Sequence, residues 1–248
     1  MALTLGIVQV CSGPRAKGAA ARKLGSHSLV ELVVRRVTDC QRLDQVLVVA
    51  DEGLDHSRLA ELVPPDVPIH SSSRPDMLGR FASAVAITHA SAVVRVCADN
   101  PFVEPMFIDR LVSTADAHPE CDYISYCSAD GRPTILSALG VFAEWCRAGA
   151  LLQADREASA PADREQVTRY LYSHPEKFQL RFIPVPPELD RDDMRLTVDS
   201  EEDWEHAQTI YDALGFEGLD WQRIAGLLRR QPALRQRMAV LNRKHAQA

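Results

Sequence analysis

Three groups of residues in this chain could handle a polyphosphate. The first is the loop Ser12-Gly13-Pro14-Arg15-Ala16-Lys17-Gly18, which follows an apolar run ending at Val10. A basic, Gly-rich loop in that place can wrap phosphates with backbone N–H groups and add positive charge. The second and third are Asp99 and Asp199, each at the end of an apolar stretch. Two aspartates converging from different strands suit Mg²⁺, a hard cation that takes oxygen ligands together with substrate phosphates. Each group also has a plainer reading. The loop reads equally as a solvated turn, Asp99 before Asn100-Pro101 as a turn opener, and Asp199 beside Ser200 as a helix N-cap. Taken together they suit a nucleoside-triphosphate site. The eight histidines are scattered and carry no comparable pattern.

The elements that would position these groups alternate in kind. Apolar runs at residues 5–10, 45–50, 91–97 and 123–127 read as buried strands, with a shorter strand at 67–70. Helical spacing is present over 28–40, 57–62, 76–89 and 105–117. Strands alternating with helices at short intervals predict an α/β fold with a mostly parallel sheet covered on both faces. In such sheets ligands bind at the carboxyl ends of the strands, where the loop, Asp99 and Asp199 all fall. Beyond Gly131 the spacing predicts a strand over 138–142, a helix over 143–152, a loop over 154–163, a helix over 165–173, and strands over 178–185 and 194–198. Ser200 then caps a helix with Glu201, Glu202 and Asp203 in its first turn. Residues 217–248 form a basic helical tail, broken near Pro232, expected to pack on the α/β domain of residues 1–216.

With 248 residues, 46% of them hydrophobic, the chain can build a sizeable core without a disulfide or metal staple. Lysine and arginine number 28 against 34 aspartates and glutamates, a net charge of -6, which argues against a dedicated nucleic-acid binder. The charge is uneven. Residues 1–38 carry six basic side chains and one acid, residues 217–248 seven and two, so the middle is strongly acidic. The tail reads as an amphipathic element packed on that acidic body, or as a dimer contact, in preference to a nucleic-acid arm. No apolar run reaches the ~20 residues of a membrane span, and no basic n-region precedes an apolar stretch. The six cysteines lack C-x-x-C spacing and read as reduced thiols, so a cytoplasmic location is expected.

Longer segments carry a resemblance. Val94-Arg95-Val96-Cys97-Ala98-Asp99-Asn100-Pro101-Phe102-Val103-Glu104-Pro105 looks like the V-R-I-T-x-D-C/N-P-L-I-x-P segment of the cytidylyltransferase family, and in particular of its spore-coat polysaccharide biosynthesis F-type members. Asp76-Met77-Leu78-Gly79-Arg80-Phe81 resembles their D-V-L-x-R-Y/F, Asp122-Tyr123-Ile124-Ser125 their D-Y-V-S strand, and Asp163-Arg164-Glu165-Gln166-Val167-Thr168 their D-R-E-H-V-T. Leu196-Thr197-Val198-Asp199 with Glu202-Asp203 is similar to L-T-V-D-x-x-E-D, and the tail with Pro232 and Asn242 is similar to their C-terminal helices. The match spans nearly the whole chain in order.

The resemblance implies a Rossmann-like nucleotidyltransferase fold of the glycosyltransferase-A type, with a mostly parallel central sheet and a C-terminal helical tail. It implies attack of a sugar or sugar-acid oxygen on the α-phosphorus of CTP, with Asp99 and Asp199 holding Mg²⁺ across the phosphates. Arg15 and Lys17 would act on the phosphates; Gln9, Gly13, Arg15, Lys23, Arg80 and Asn100 would bind the nucleotide. A homodimer is expected on the same ground. Departures mark the loop and the acceptor side. Cys11 stands where the family has its first loop residues, Ala19 where its lysine falls, with Lys17, Arg22 or Lys23 as substitutes. Ala138 and Gly140 replace both acids of G-L-D-V-E-V-F, and Gln166 replaces the histidine of R-E-H-V-T. A remodelled acceptor pocket follows; a non-catalytic nucleotide- or partner-binding relative and a glycosyltransferase using a premade nucleotide sugar are the alternatives.

Overall fold

The computed structural model describes residues 3–11, 19–50 and 56–246. Strand β1 (Thr4–Val10) is buried at every position, as a central strand covered on both faces must be. It pairs in parallel with β4 (Gln45–Ala50) on one side and β6 (Ala92–Cys97) on the other. The short hairpin β2 (Lys23–Leu24) and β3 (His27–Ser28) lies outside the main sheet. Strands β5 (Ile69–Ser71), β7 (Tyr123–Cys127), β8 (Glu144–Arg147) and β9 (Leu180–Pro184) complete the order β5-β4-β1-β6-β8-β7-β9. Within this sheet, among the described residues, only β8 runs antiparallel to its neighbours.

The period of two along the strands divides the core. Val8 and Val10 join one buried cluster, Leu5 and Ile7 the other. On the first face lie α1 (Leu29–Thr38), α2 (His56–Leu62), α4 (Pro105–Ala117) and α8 (Glu201–Leu214). On the second lie α3 (Met77–Thr88), α5 (Ala148–Glu157) and α7 (Arg169–Ser173), with α6 (Pro161–Glu165) alongside. The starts are written in side chains: Ser28, Asp76 and Ser200 each accept a backbone N–H of their own first turn. In the tail, α9 (Trp221–Arg229) and α10 (Pro232–Ala246) bring Ile224, Leu228, Leu234 and Met238 into the cluster that holds Val8.

Five expectations between residues 138 and 198 fail in whole or in part. Residues 138–142 are irregular, not a strand, because Gly140 takes a left-handed φ of 62° and turns the chain against Leu196 and Thr197. The expected helix over 143–152 begins only at Ala148; before it, Glu144 is drawn into the sheet opposite Arg95. Residues 194–198 form no strand and bond instead to the irregular segment, with Leu196 N donating to the Ala138 carbonyl at 2.8 Å. The expected loop over 154–163 is partly helical, and the expected helix over 165–173 is broken at Gln166, which is extended. That break turns Gln166 and Thr168 toward the cavity described next.

Candidate active site

Asp99 follows the carboxyl end of β6, and Asp199 precedes α8. The backbone joins them: Val198 N donates to the Asp99 carbonyl at 2.8 Å. Ser200, not Asp199, caps α8, in a capping box with Asp203. Asp199 is therefore available for other work. Its Oδ2 accepts from Thr197 Oγ1 and from Arg195 Nη2, both at 2.9 Å. Burial, and next the neighbouring Asp199 charge, push the Asp99 carboxyl up to about 6, against a smaller pull from Arg95. Two repelling carboxylates at one spot are the donor set that a hard divalent cation stabilises. Among the described residues no cluster of three or more His, Cys, Asp or Glu side chains forms a metal cage. A pair fits an ion that takes its remaining ligands from phosphate and water oxygens.

Both aspartates line a cavity of about 690 Å³. Its walls come from the end of β6, the irregular segment 134–142, the turn at Gln166–Thr168 and the last turns of α10. Asn100 sits in this wall, 7% exposed, and its Oδ1 has no partner among the described residues. A buried acceptor left open in a cavity wall is a place for a ligand N–H or O–H. Gly140 explains the missing acid at its position: a Cβ there would lie 2.7 Å from the Leu196 carbonyl carbon.

Other candidates fall in several places. Gly13, Arg15 and Lys17 lie outside the described residues. Gln9 is buried and fully used, its Oε1 accepting from Arg95 Nε at 2.8 Å and its Nε2 donating to Cys11 Sγ at 3.1 Å. Arg80 is buried in α3 and donates to the carbonyls of Arg74 and Pro75. Lys23 is exposed on β2 and does not line the cavity. Arg22 is committed to α8: it stacks 4.1 Å over Trp204 and pairs with Glu201 at both guanidinium ends.

Two polar networks under the cavity escaped the reading of motifs. Arg95 Nη1 donates to Glu144 Oε2 at 2.7 Å, while Tyr123 and Thr168 hydroxyls donate to Glu144 Oε1. Glu144 is 1% exposed, and these donors supply the hydrogen-bond partners that a buried carboxyl requires. The second network joins Arg195, Asp203 and Asn242. A charge inside an apolar run, as at Arg95, is the one sequence signal that could have found the first.

The arrangement suits a nucleotidyl transfer: carboxylates for a phosphate-bound cation at one side, and a cavity for a second substrate at the other. Comparisons with known proteins agree. A family model described as Cytidylyltransferase matches residues 13–242. The spore coat polysaccharide biosynthesis protein SpsF of Bacillus subtilis is 27% identical over 216 residues, covering 84% of this chain and 86% of that protein. A cytidylyltransferase structure from Leptospira borgpetersenii superposes with a TM-score of 0.81 at 19% identity, covering 95% and 96% of the two chains. A CMP:2-keto-3-deoxy-manno-octonic acid synthetase complexed with CTP superposes with a TM-score of 0.65 at 12% identity, covering 86% and 99%. With its model matched over nearly its whole length and its fold shared, the chain belongs to the cytidylyltransferase family, a family of nucleotidyltransferase enzymes.

Proposed function

We propose that the protein transfers CMP from CTP to a sugar or sugar-acid hydroxyl in polysaccharide or modified-sugar biosynthesis, with Mg²⁺ at Asp99 and Asp199. The observation that carries this reading is the meeting of the two carboxylates, from separate segments, at the wall of one cavity. In the reaction the acceptor hydroxyl oxygen forms a bond to the α-phosphorus and gives up its proton to water, while the bond from the α-phosphorus to the oxygen it shares with the β-phosphate breaks, releasing pyrophosphate. A cation held by the two aspartates would neutralise charge on the phosphates and the leaving group. Asn100 Oδ1 accepts a donor from the nucleotide. Arg15 and Lys17 contact the phosphates, with Gly13 leaving room for their approach. Gln9 anchors Cys11, and Arg80 acts on Cys11 through its charge. Lys23 is the remaining candidate cation and approaches only from outside the cavity.

Among the described residues no helix is long and apolar enough to cross a membrane. The test is calorimetry with CTP and Mg²⁺. Binding is expected for the wild type and its loss for Asp99→Ala. No binding by the wild type, or unchanged binding by the variant, sinks the proposal. Pyrophosphate release across a panel of sugars and sugar acids then identifies the acceptor.

A further inference from the structure

We infer that the C-terminal helix α10 is a working part of the active site, and that Asn242 on it is a positioning residue for Asp199. The inference rests on the metal reading of Asp99 and Asp199 given above.

Asp199 ends a segment that has no sheet ladder to hold it. Residues 192–198 are irregular, and the few backbone bonds they make go to Ala138 and Asp99, themselves outside regular elements. Part of what fixes the segment comes from the tail. Asn242 Nδ2 donates to the carbonyls of Asp192, at 2.8 Å, and Met194, at 2.9 Å. Its Oδ1 accepts from Arg195 Nη1 at 3.4 Å. One amide thus uses its nitrogen and its oxygen on three residues of the segment, Asp192, Met194 and Arg195.

Arg195 passes the constraint on. Its guanidinium, 2% exposed, forks onto Asp203 at 2.6 and 2.9 Å and reaches Asp199 Oδ2 at 2.9 Å. Asp203 in turn accepts the backbone N–H groups of Asp199 and Ser200 at 3.1 Å. The Asp199 carboxylate is therefore tied at one oxygen and at its own amide. A carboxylate held this way offers its other oxygen in a fixed direction, which is what a metal ligand requires of its supporting partners. Neighbours of Asn242 on the same helix, Ala239 and Arg243, line the cavity directly. The tail therefore ends inside the site, and this contact is its functional purpose.

The test is Mn²⁺ binding in the presence of CTP, followed by electron paramagnetic resonance, on the full chain. Asn242→Ala is expected to weaken Mn²⁺ about 10-fold, within the range typical for loss of an outer-shell partner. Binding of CTP without metal is expected to stay unchanged. In turnover the apparent Mg²⁺ requirement should rise with the metal affinity lost, while KM for CTP at saturating metal stays near the wild-type value. Gln236→Ala, exposed on the same helix, should leave Mn²⁺ affinity unchanged. Should Asn242→Ala fail to fold, Asn242→Asp keeps the shape and loses the two donors, with the same expected effect. A folded Asn242 variant with wild-type Mn²⁺ affinity overturns the inference, even if its melting temperature falls. If the wild type binds no Mn²⁺ with CTP, or Asp199→Ala binds it normally, the metal reading fails and this inference with it. If those controls hold and only the Asn242 variants are normal, the inference alone fails.

Discussion

Asp99 is the residue where folding and function oppose each other. Burial and the Asp199 charge raise its carboxyl from the ordinary 3.8 to about 6. The folded protein therefore holds a proton that the unfolded chain has released, between roughly pH 4 and 6. Stability of the metal-free protein should fall as pH rises through that window. Removing the charge should then stabilise the fold: Asp99→Asn is expected to raise the metal-free melting temperature at pH 7.5 by about 2–4 °C, what ~1 kcal/mol is worth in a chain of this size. The same variant should lose Mn²⁺. In the wild type, protons compete with the metal, so Mn²⁺ affinity should weaken as pH falls through about 6. A lower melting temperature in Asp99→Asn, or a pH-independent affinity from 5 to 8, would contradict this account. Asp99 and Asp199 were legible in the sequence because each closes an apolar run in a matching segment. The role of Glu144 was not, nor that of Asn242 beyond its place in a matching tail, since what makes them matter is a partner 49 residues distant for one and 47 for the other.

At the scale of elements, the main-sheet strands and helices up to residue 127 were readable from apolar runs and helical spacing, and β7 and α4 match residue for residue. Between 138 and 147 the sequence pattern misleads. The apolar alternation of 138–142 lies in the cavity wall, while the strand falls on 144–147, with a glutamate at its first position. Local propensity lost to the Arg95–Glu144 pair, which is visible only after the sheet is assembled. Gly140 is the hinge of this difference. Gly140→Ala is expected to cost about 1–3 kcal/mol, because φ is positive and the new methyl meets the backbone at Leu196 and Thr197. Gly226→Ala, inside α9 with open space around its Cβ, should instead stabilise by about 0.5–1 kcal/mol. Denaturant unfolding of the two variants measures both. Equal effects would mean that segment 138–142 is not pinned against 194–198.

At the scale of the whole molecule, the uneven charge has a structural counterpart. From the basic N-terminal stretch Arg22 pairs with Glu201, and from the basic tail Arg235 pairs with Asp193. Both basic ends therefore meet the acidic body on the two sides of Asp199. Such partly exposed pairs orient more than they stabilise. The tail is held by apolar burial: Leu234 is 1% exposed and Met238 fully buried, in the cluster that also contains β1 residues. A tail built into the common core cannot melt alone. Leu234→Ala should therefore lower the stability of the whole chain by about 2–4 kcal/mol, in a single transition with an unchanged denaturant slope. A separate early transition, or a main midpoint that does not move, would show an appendage that folds independently. The first outcome would also explain why the tail can serve the site. A helix that shares the core's cooperativity presents Asn242 to the Asp199 segment whenever the sheet itself is folded.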